Sequence, residues 1–501
     1  MGEKYQALVS RLAEIHDINR ALAVLSWDQQ VNMPPGGMKA RAAQIGTLSR
    51  IEHDMIVSEE TARLLEEAGK EIEGAAYDSD EASMVRVVSQ DVKEQTCLPT
   101  DLVARIAEME VVGHQVWTQA RADNDFAAFA PTLQKMLDLK REAADHMGYS
   151  DHPYDALLNE FERGSTAKRV KEIFDAQRPA LVELISAIRA KGNVIDDAIL
   201  HQEFDIEKQR AFGIGVVKAY GYDFTRGRED EVVHPFCTGF GQGDVRITTR
   251  FYKDFINAAL FGTMHEAGHA MYEQGVAPAL DGTPLSRGTS LAVHESQSRM
   301  WENFVGRSRG FWEWAFPQLQ TLFPDQFKNV TVEQFYRAIN KVQPSFIRVE
   351  ADEATYNLHI MVRFELEMQM VAGQIAVNDL PEAWNEMFEA YLGVTPPTNK
   401  VGVLQDVHWS SGLIGYFPTY ALGNLLAAQY FRKAVETHPS IPDEIASGKF
   451  DTLLGWLREN IHRYGRKFTG EELTQRITGG SIDGSYYIDY LRKKYTDIYG
   501  L

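Results

Sequence analysis

The run His265-Glu266-Ala267-Gly268-His269 has the residue types and spacing from which a hydrolytic divalent-metal site is built. It lies in a helical pattern running from about 252 to 274, with Phe255, Ala259 and Phe261 to Met264 apolar. In a helix, positions i and i+4 differ by only about 40°, so both imidazoles leave one face a turn apart. Both then reach a single Zn²⁺ at about 2.0–2.1 Å. Glu266 points aside from that face and is placed to serve the metal's water instead of the metal. Gly268 is a poor helix former, a sign that something approaches the backbone there. Chance alone would give such a run on the order of 0.03 times in a chain with this histidine content, and the helical setting argues further against chance.

A catalytic zinc needs a third protein ligand and an open fourth position. Gly275 and Tyr272 stand where the metzincin pattern requires histidine and glycine, which excludes that class. The other common solution is a glutamate from a later helix. Thr289-Ser290-Leu291-Ala292-Val293-His294-Glu295-Ser296 opens such a helix, with Glu295 in its second turn. Glu295 reads equally well as a solvated glutamate paired with Arg299 at i+4. Spacing alone does not choose it among the acids that follow.

The elements around the motif are mostly helical. Leu8, Leu12, Ile15, Ile18, Leu22 and Leu25 recur at helical spacing over 3–30, and Met33-Pro34-Pro35-Gly36-Gly37 stops that helix. One long helix is expected to follow through about residue 70. Further helices are expected over about 100–122, 128–148 and 166–191, the last capped by the hydroxyl run before it, Gly164-Ser165-Thr166. Only 231–251 breaks the pattern. Its glycines and the alternating Val245, Ile247 and Thr249 predict a turn and one or two short strands. Helices resume to the end, with breaks near 278–289, 323–330, 393–403 and 439–442. No repeat, low-complexity tract or flexible linker divides the chain, which reads as one helical body of two lobes.

Composition narrows the function classes. With 501 residues, 44% hydrophobic and 24% charged, the chain is globular and large enough for an extensive core. A formal charge of −20 disfavours a nucleic-acid partner. Cys97 and Cys237 are far apart and form no Cys-x-x-Cys pair, which fits a reducing compartment and argues against thiolate ligation. The start of the chain shows no apolar signal core, Gln6 spoils a myristoylation pattern, and no run of apolar residues is long enough for a bilayer. The expectation is a cytoplasmic protein with no membrane partner.

An ordered series of short strings extends well beyond the metal motif. It comprises Ser26-Trp27-Asp28-Gln29 with Met33-Pro34, His234-Pro235-Phe236, Asp244-Val245-Arg246-Ile247-Thr248, the metal motif, His294-Glu295-Ser296-Gln297, Ile347-Arg348-Val349-Glu350-Ala351-Asp352, and Gly402-Val403-Leu404-Gln405-Asp406-Val407-His408-Trp409. Together they resemble the thermostable carboxypeptidase 1 family, also called the carboxypeptidase Taq family of zinc metallocarboxypeptidases. The resemblance implies a mostly α-helical fold of two lobes around a deep central cleft, similar to angiotensin-converting enzyme and neurolysin. It implies one peptidase domain over 1–501, a homodimer, and metal ligands His265, His269 and Glu295 with Glu266 as general base. Zinc is the implied metal, with cobalt able to substitute.

The implied reaction removes single residues from peptides with a free C-terminal carboxylate. An arginine fork recognises such a group with two parallel hydrogen bonds. Arg246, Arg250, Arg287, Arg299 and Arg348 are candidates by position; the family pattern favours Arg348, whose plainer reading is a salt bridge with Glu350 or Asp352. His408 and Tyr416 resemble the histidine and tyrosine that stabilise the reacting oxygen in angiotensin-converting enzyme, with Tyr420 competing for the tyrosine's place. His234 is a candidate for binding substrate backbone, and Asp352 and Asp406 for orienting the metal-bound imidazoles. Two other readings use the same metal residues: an endo-oligopeptidase or dipeptidyl carboxypeptidase, and a non-catalytic, zinc-stabilised peptide-binding scaffold.

Overall fold

The computed structural model describes residues 2–501. It is 69% helix, so the site has to be assembled almost wholly from helix-on-helix contacts. The opening helix Glu3–Val31 buries the expected stripe, including Leu8, Leu12, Ile15 and Leu22. The single helix expected after it is instead two, Met38–Ile56 and Glu59–Glu71. Ser58 leaves the helical region between them, and its hydroxyl accepts from Thr61 N at 3.2 Å, starting the second helix with an N-cap. That cap follows directly on Met55-Ile56-Val57 with no proline or glycine to mark a break, so periodicity does not reveal it. The hydroxyl expected before the helix at 166–191 is Thr166, which accepts from Arg169 N at the start of Ala167–Ala190.

The irregular segment forms three strands, β1 (Glu229–Glu231), β2 (Cys237–Gly241) and β3 (Asp244–Thr249), in the order β1-β3-β2. β2 pairs antiparallel with β3 across a bulge at Gly239/Gly241, and β1 pairs parallel with it. β1 begins before the expected window because Glu-Asp-Glu has no strand propensity; its place depends on pairing with β3, whose Val245 and Ile247 are buried.

Two hydrophobic cores result. A small one joins Leu8, Leu12, Leu64, Met84 and Val88 to Leu280 and Leu285. The large one runs from Ala120 to Tyr499 and surrounds the metal motif. The motif helix is Asn257–Gln274, starting later than expected because the preceding loop bonds elsewhere: Lys253 O accepts from Phe204 N at 2.7 Å, and Ile256 N donates to Leu200 O. The helix is packed around most of its circumference, with β3 along one side.

Candidate metal centre

Three helices position the metal residues, and two glycines let them approach. Leu291–Arg299 carries Glu295 and lies between the motif helix and Pro418–Thr437. A Cβ added to Gly268 would stand 2.6 Å from both Gln297 O and Ser298 Cα; one added to Gly423 would stand 2.5 Å from Glu295 Cγ. Gly268 therefore marks the close approach its weak helix propensity suggested. The start of Leu291–Arg299 is fixed by Ser290, which accepts from Val293 N, and by Glu162, whose Oε2 accepts from Ala292 N at 3.0 Å. Its end passes into a π-helical turn, Met300–Val305. Such turns shift the helix register and recur at functional sites.

His265, His269 and Glu295 converge, with one donor atom of each lying within 4.8 Å of the others. Glu295 Oε2 is 3.6 Å from His265 Nε2 and 3.5 Å from His269 Nε2. Ligands at about 2.0–2.1 Å around a tetrahedral zinc stand about 3.3–3.4 Å from one another, close to the two separations between carboxylate and imidazole, so the donor set suits such an ion. Both readings of Glu295 hold at once, one on each oxygen: Oε2 faces the imidazoles, while Oε1 accepts from Arg299 Nε at 2.7 Å.

The outer nitrogens of the two rings are also occupied. His265 Nδ1 bonds Glu302 Oε2 at 2.8 Å. His269 Nδ1 meets His294 Nδ1 at 2.7 Å, and His294 Nε2 meets Glu273 Oε1 at 2.7 Å. Such outer partners fix ring orientation and leave Nε2 for the metal. Neither Asp352 nor Asp406 does this work. Asp352 caps Glu353–Val371, accepting from Ala354 N and Thr355 N at 3.0 Å, and Asp406 binds two arginines. Glu302 was hidden because it projects from the π turn; His294 was in view beside Glu295 but carried no spacing signal of its own.

The electrostatics separate three carboxyls by role. Burial, the largest influence on Glu302, opposes its ionisation, but Arg299 and His265 prevail and hold it at about 2. Burial likewise opposes ionisation of Glu295, and Arg299 with the two histidines holds it well below the usual carboxylate range. At Glu266 burial prevails over the nearby His265 charge, with Glu295 and Glu302 adding to it, and lifts the carboxyl to about 7. It is only 7% exposed, and among the described residues no hydrogen bond or ion pair reaches its carboxyl. A group poised near neutrality beside the metal ligands is what proton transfer requires.

A second cluster adjoins the first. Arg348 is buried, donating Nε and Nη2 to Asp406 Oδ1 at 3.0 and 2.9 Å and Nη1 to Tyr356 Oη at 3.1 Å. It pairs with neither Glu350 nor Asp352. Arg363 Nε holds the other oxygen of Asp406 at 2.6 Å. His408 lies beside this group, its Nε2 3.5 Å from Tyr420 Oη and its Nδ1 4.0 Å from Asp406. Burial first, then Arg348 and Arg363, draw its pKa down to about 4, so the ring is neutral at pH 7. The Tyr416 and Tyr420 rings lie 5.3 Å apart; burial raises the pKa of both phenols, and the charge of Glu295 adds to it. His234 is exposed, on the loop leading into β2, whose Cys237 feels the charge of Glu266. Of the remaining arginines, Arg246 binds Asp244, Arg250 donates to Val233 O, Arg299 is committed to Glu295 and Glu302, and Arg287 lies on the loop between the motif helix and Leu291–Arg299.

A mostly helical fold presenting two histidines and a glutamate to one ion, with a second glutamate free beside them, defines a zinc-dependent metallopeptidase. The sequence matches the family described as Carboxypeptidase Taq (M32) metallopeptidase over residues 7–495. It is 41% identical to thermostable carboxypeptidase 1 of Thermus thermophilus and 38% identical to carboxypeptidase 1 of Bacillus subtilis, covering 99% and 97% of each chain in the two pairs. The crystal structure of the M32 carboxypeptidase from Deinococcus radiodurans R1 superposes with a TM-score of 0.97 at 42% identity, over 100% of both chains. The chain belongs to the M32 family of zinc metallocarboxypeptidases and carries the residues for metal-activated hydrolysis of C-terminal peptide bonds.

Proposed function

We propose that His265, His269 and Glu295 hold the zinc, that Glu266 is the general base, and that Arg348 sets the register of a peptide's C-terminus. One observation carries this reading: three ligand atoms converge while Glu266, next to the first of them, is buried with its carboxyl unengaged. A zinc ion bound there supplies Lewis acidity and a water acidified toward a pKa of about 7. Glu266 takes the water's proton as it attacks the scissile carbonyl, and returns that proton to the departing amine. Neutral His408 and the Tyr416 hydroxyl donate to the oxygen on which charge develops. Arg348 keeps Nε and Nη2 on Asp406; its Nη1, turned to Tyr356, is the donor a substrate carboxylate takes over. Tyr420 and His234 contact the peptide, and residues 1–501 act as one peptidase domain whose two lobes flank the cleft.

The family resemblance extends this reading to a homodimer, to cobalt as a substitute metal and to a cytoplasmic location; no helix among the described residues is long and apolar enough to cross a membrane. The decisive variant is Glu266→Gln. It should keep its zinc while kcat falls by about 10²–10⁴, the range for losing a general base. Metal analysis and steady-state kinetics on one unblocked peptide check this, and near-wild-type turnover would sink the mechanism. Amidating the same peptide's C-terminus should suppress its cleavage; undiminished cleavage would point to an endo-oligopeptidase instead.

A further inference from the structure

Beyond the metal ligands, the opening helix, the helix Asp80–Thr96, the loop after the motif helix and the segment at Arg466 line a pocket of about 120 Å³. Leu12, Ile15 and Val88 make part of it apolar, and Arg20, Arg287 and Arg466 bring three guanidinium groups to the rest. Two of these are anchored in the fold. Arg466 donates to both oxygens of Asp91 at 3.0 and 2.8 Å, and Arg20 donates Nη1 to Gly239 O at 2.8 Å.

Arg287 is different. Its side chain is open to solvent, and among the described residues no hydrogen bond or ion pair reaches its guanidinium. The two acids lining the pocket already have other partners: Asp91 binds Arg466 and Arg163, and Glu52 accepts from Asn19 at 2.9 Å. Like charges gathered in a small concave volume repel one another unless an anion sits among them. The same shortage shows in the pKa of Arg287, drawn down to about 10 with Arg466 as the leading cause.

We propose that Arg287, between Arg20 and Arg466, binds the carboxylate of an organic acid whose apolar body rests on Leu12, Ile15 and Val88. The planar fork of an unpaired arginine matches a carboxylate with two parallel bonds, and the adjoining apolar wall favours an acid with a hydrocarbon tail over a bare inorganic ion. Arg20 and Arg287 both act electrostatically on Glu273, the carboxylate that holds His294. The pocket therefore lies one turn of the motif helix beyond His269 and is separate from Arg348. Two sources share the recognised chemistry: an acidic or chain-terminal residue of a bound peptide, and a free organic acid.

Calorimetric titration of the zinc-loaded protein with isovalerate tests the idea, using wild type, Arg287→Gln and Arg287→Lys. Isovalerate should bind wild type and lose about tenfold or more in affinity in Arg287→Gln, with Arg287→Lys between them. The Tm of both variants should match wild type, since Arg287 has no partner in the fold to lose. A raised KM for peptides at unchanged kcat in Arg287→Gln assigns the peptide as the source; an unchanged KM with weakened isovalerate binding assigns the free acid. Absence of binding to wild type, or equal affinity in wild type and Arg287→Gln, overturns the proposal. So does a Tm lowered by several degrees in Arg287→Gln, which would make the residue part of the scaffold.

Discussion

On the ligand helices each metal-binding imidazole has its outer nitrogen tied within 2.8 Å, His265 to Glu302 and His269 to His294. On the 408–420 segment the His408 ring is held far less closely: it meets Tyr420 at 3.5 Å and Asp406 at 4.0 Å, and its buried Nδ1 has no partner. In the proposed mechanism the first region binds something of fixed size and charge, so its atoms can be placed before the ion arrives. The second, in that mechanism, receives an oxygen that becomes an anion only during the reaction, and hydrogen-bonding capacity left unspent in the free protein serves that end. Tyr356 links the two regions. Its ring lies 4.5 Å from the Arg299 guanidinium, and its hydroxyl accepts from Arg348.

If this division of labour is right, the largest effect among the supporting residues should come from the loose side. Tyr416→Phe should lower kcat by about 10²–10³, the usual loss for one donor to a developing oxyanion, while zinc affinity stays as in wild type. Tyr420→Phe should act mainly on KM. Steady-state kinetics with one tripeptide separates the two. A reversed pattern would give the donor role to Tyr420 and keep the comparison; a loss of zinc in either variant would break it.

The tight side should respond in the opposite way. Glu302→Gln removes the charge that orients His265, and zinc affinity should fall by about 10–100-fold. Zinc-saturated variant should recover most of its kcat. Competition against a chelator, followed by kinetics at excess zinc, checks both halves. Equal zinc affinity in the variant and wild type would show that ring orientation is set by packing alone.

How far the sequence foreshadowed these regions follows the same divide. His265, Glu266 and His269 were legible because three residue types and one helical period suffice to place them. Glu295 was reached only through the family resemblance, since its ordinary pairing with Arg299 looks identical in spacing and is in fact also present. Glu302 escaped because a π turn changes which residues share a face, and Met300-Trp301-Glu302-Asn303 carries no mark of one. The unpaired state of Arg287 depends on where Asp91 and Glu52 bond, contacts that join five segments of chain. In the fold, the long periodic helices were visible from their apolar stripes. The break at Ser58 and the acidic strand β1 were not, because each is decided by a local cap or a distant partner against the surrounding propensity.

The smallest expected effect comes from a carboxyl that touches neither metal nor substrate. Glu367 is fully buried and accepts from Tyr154 Oη at 2.7 Å, Trp409 Nε1 at 2.8 Å and Gly415 N at 3.1 Å. Trp409 follows His408 in the chain and Gly415 precedes Tyr416, so one side chain clasps both ends of the segment bearing the two proposed donors. In Glu367→Gln one oxygen can still accept from Tyr154 and Gly415, but the amide NH₂ then faces the Trp409 N–H, leaving a buried donor unsatisfied at a cost of about 1–3 kcal/mol. Stability should drop by that amount in denaturant melts. If the segment's position matters to the reaction, kcat should fall several-fold at unchanged zinc affinity, a smaller loss than for Tyr416→Phe because both donors remain. A fall in stability with kcat intact would instead mean that His408 and Tyr416 find their places without the clasp, and that the loose side tolerates far more movement than the ligand helices do.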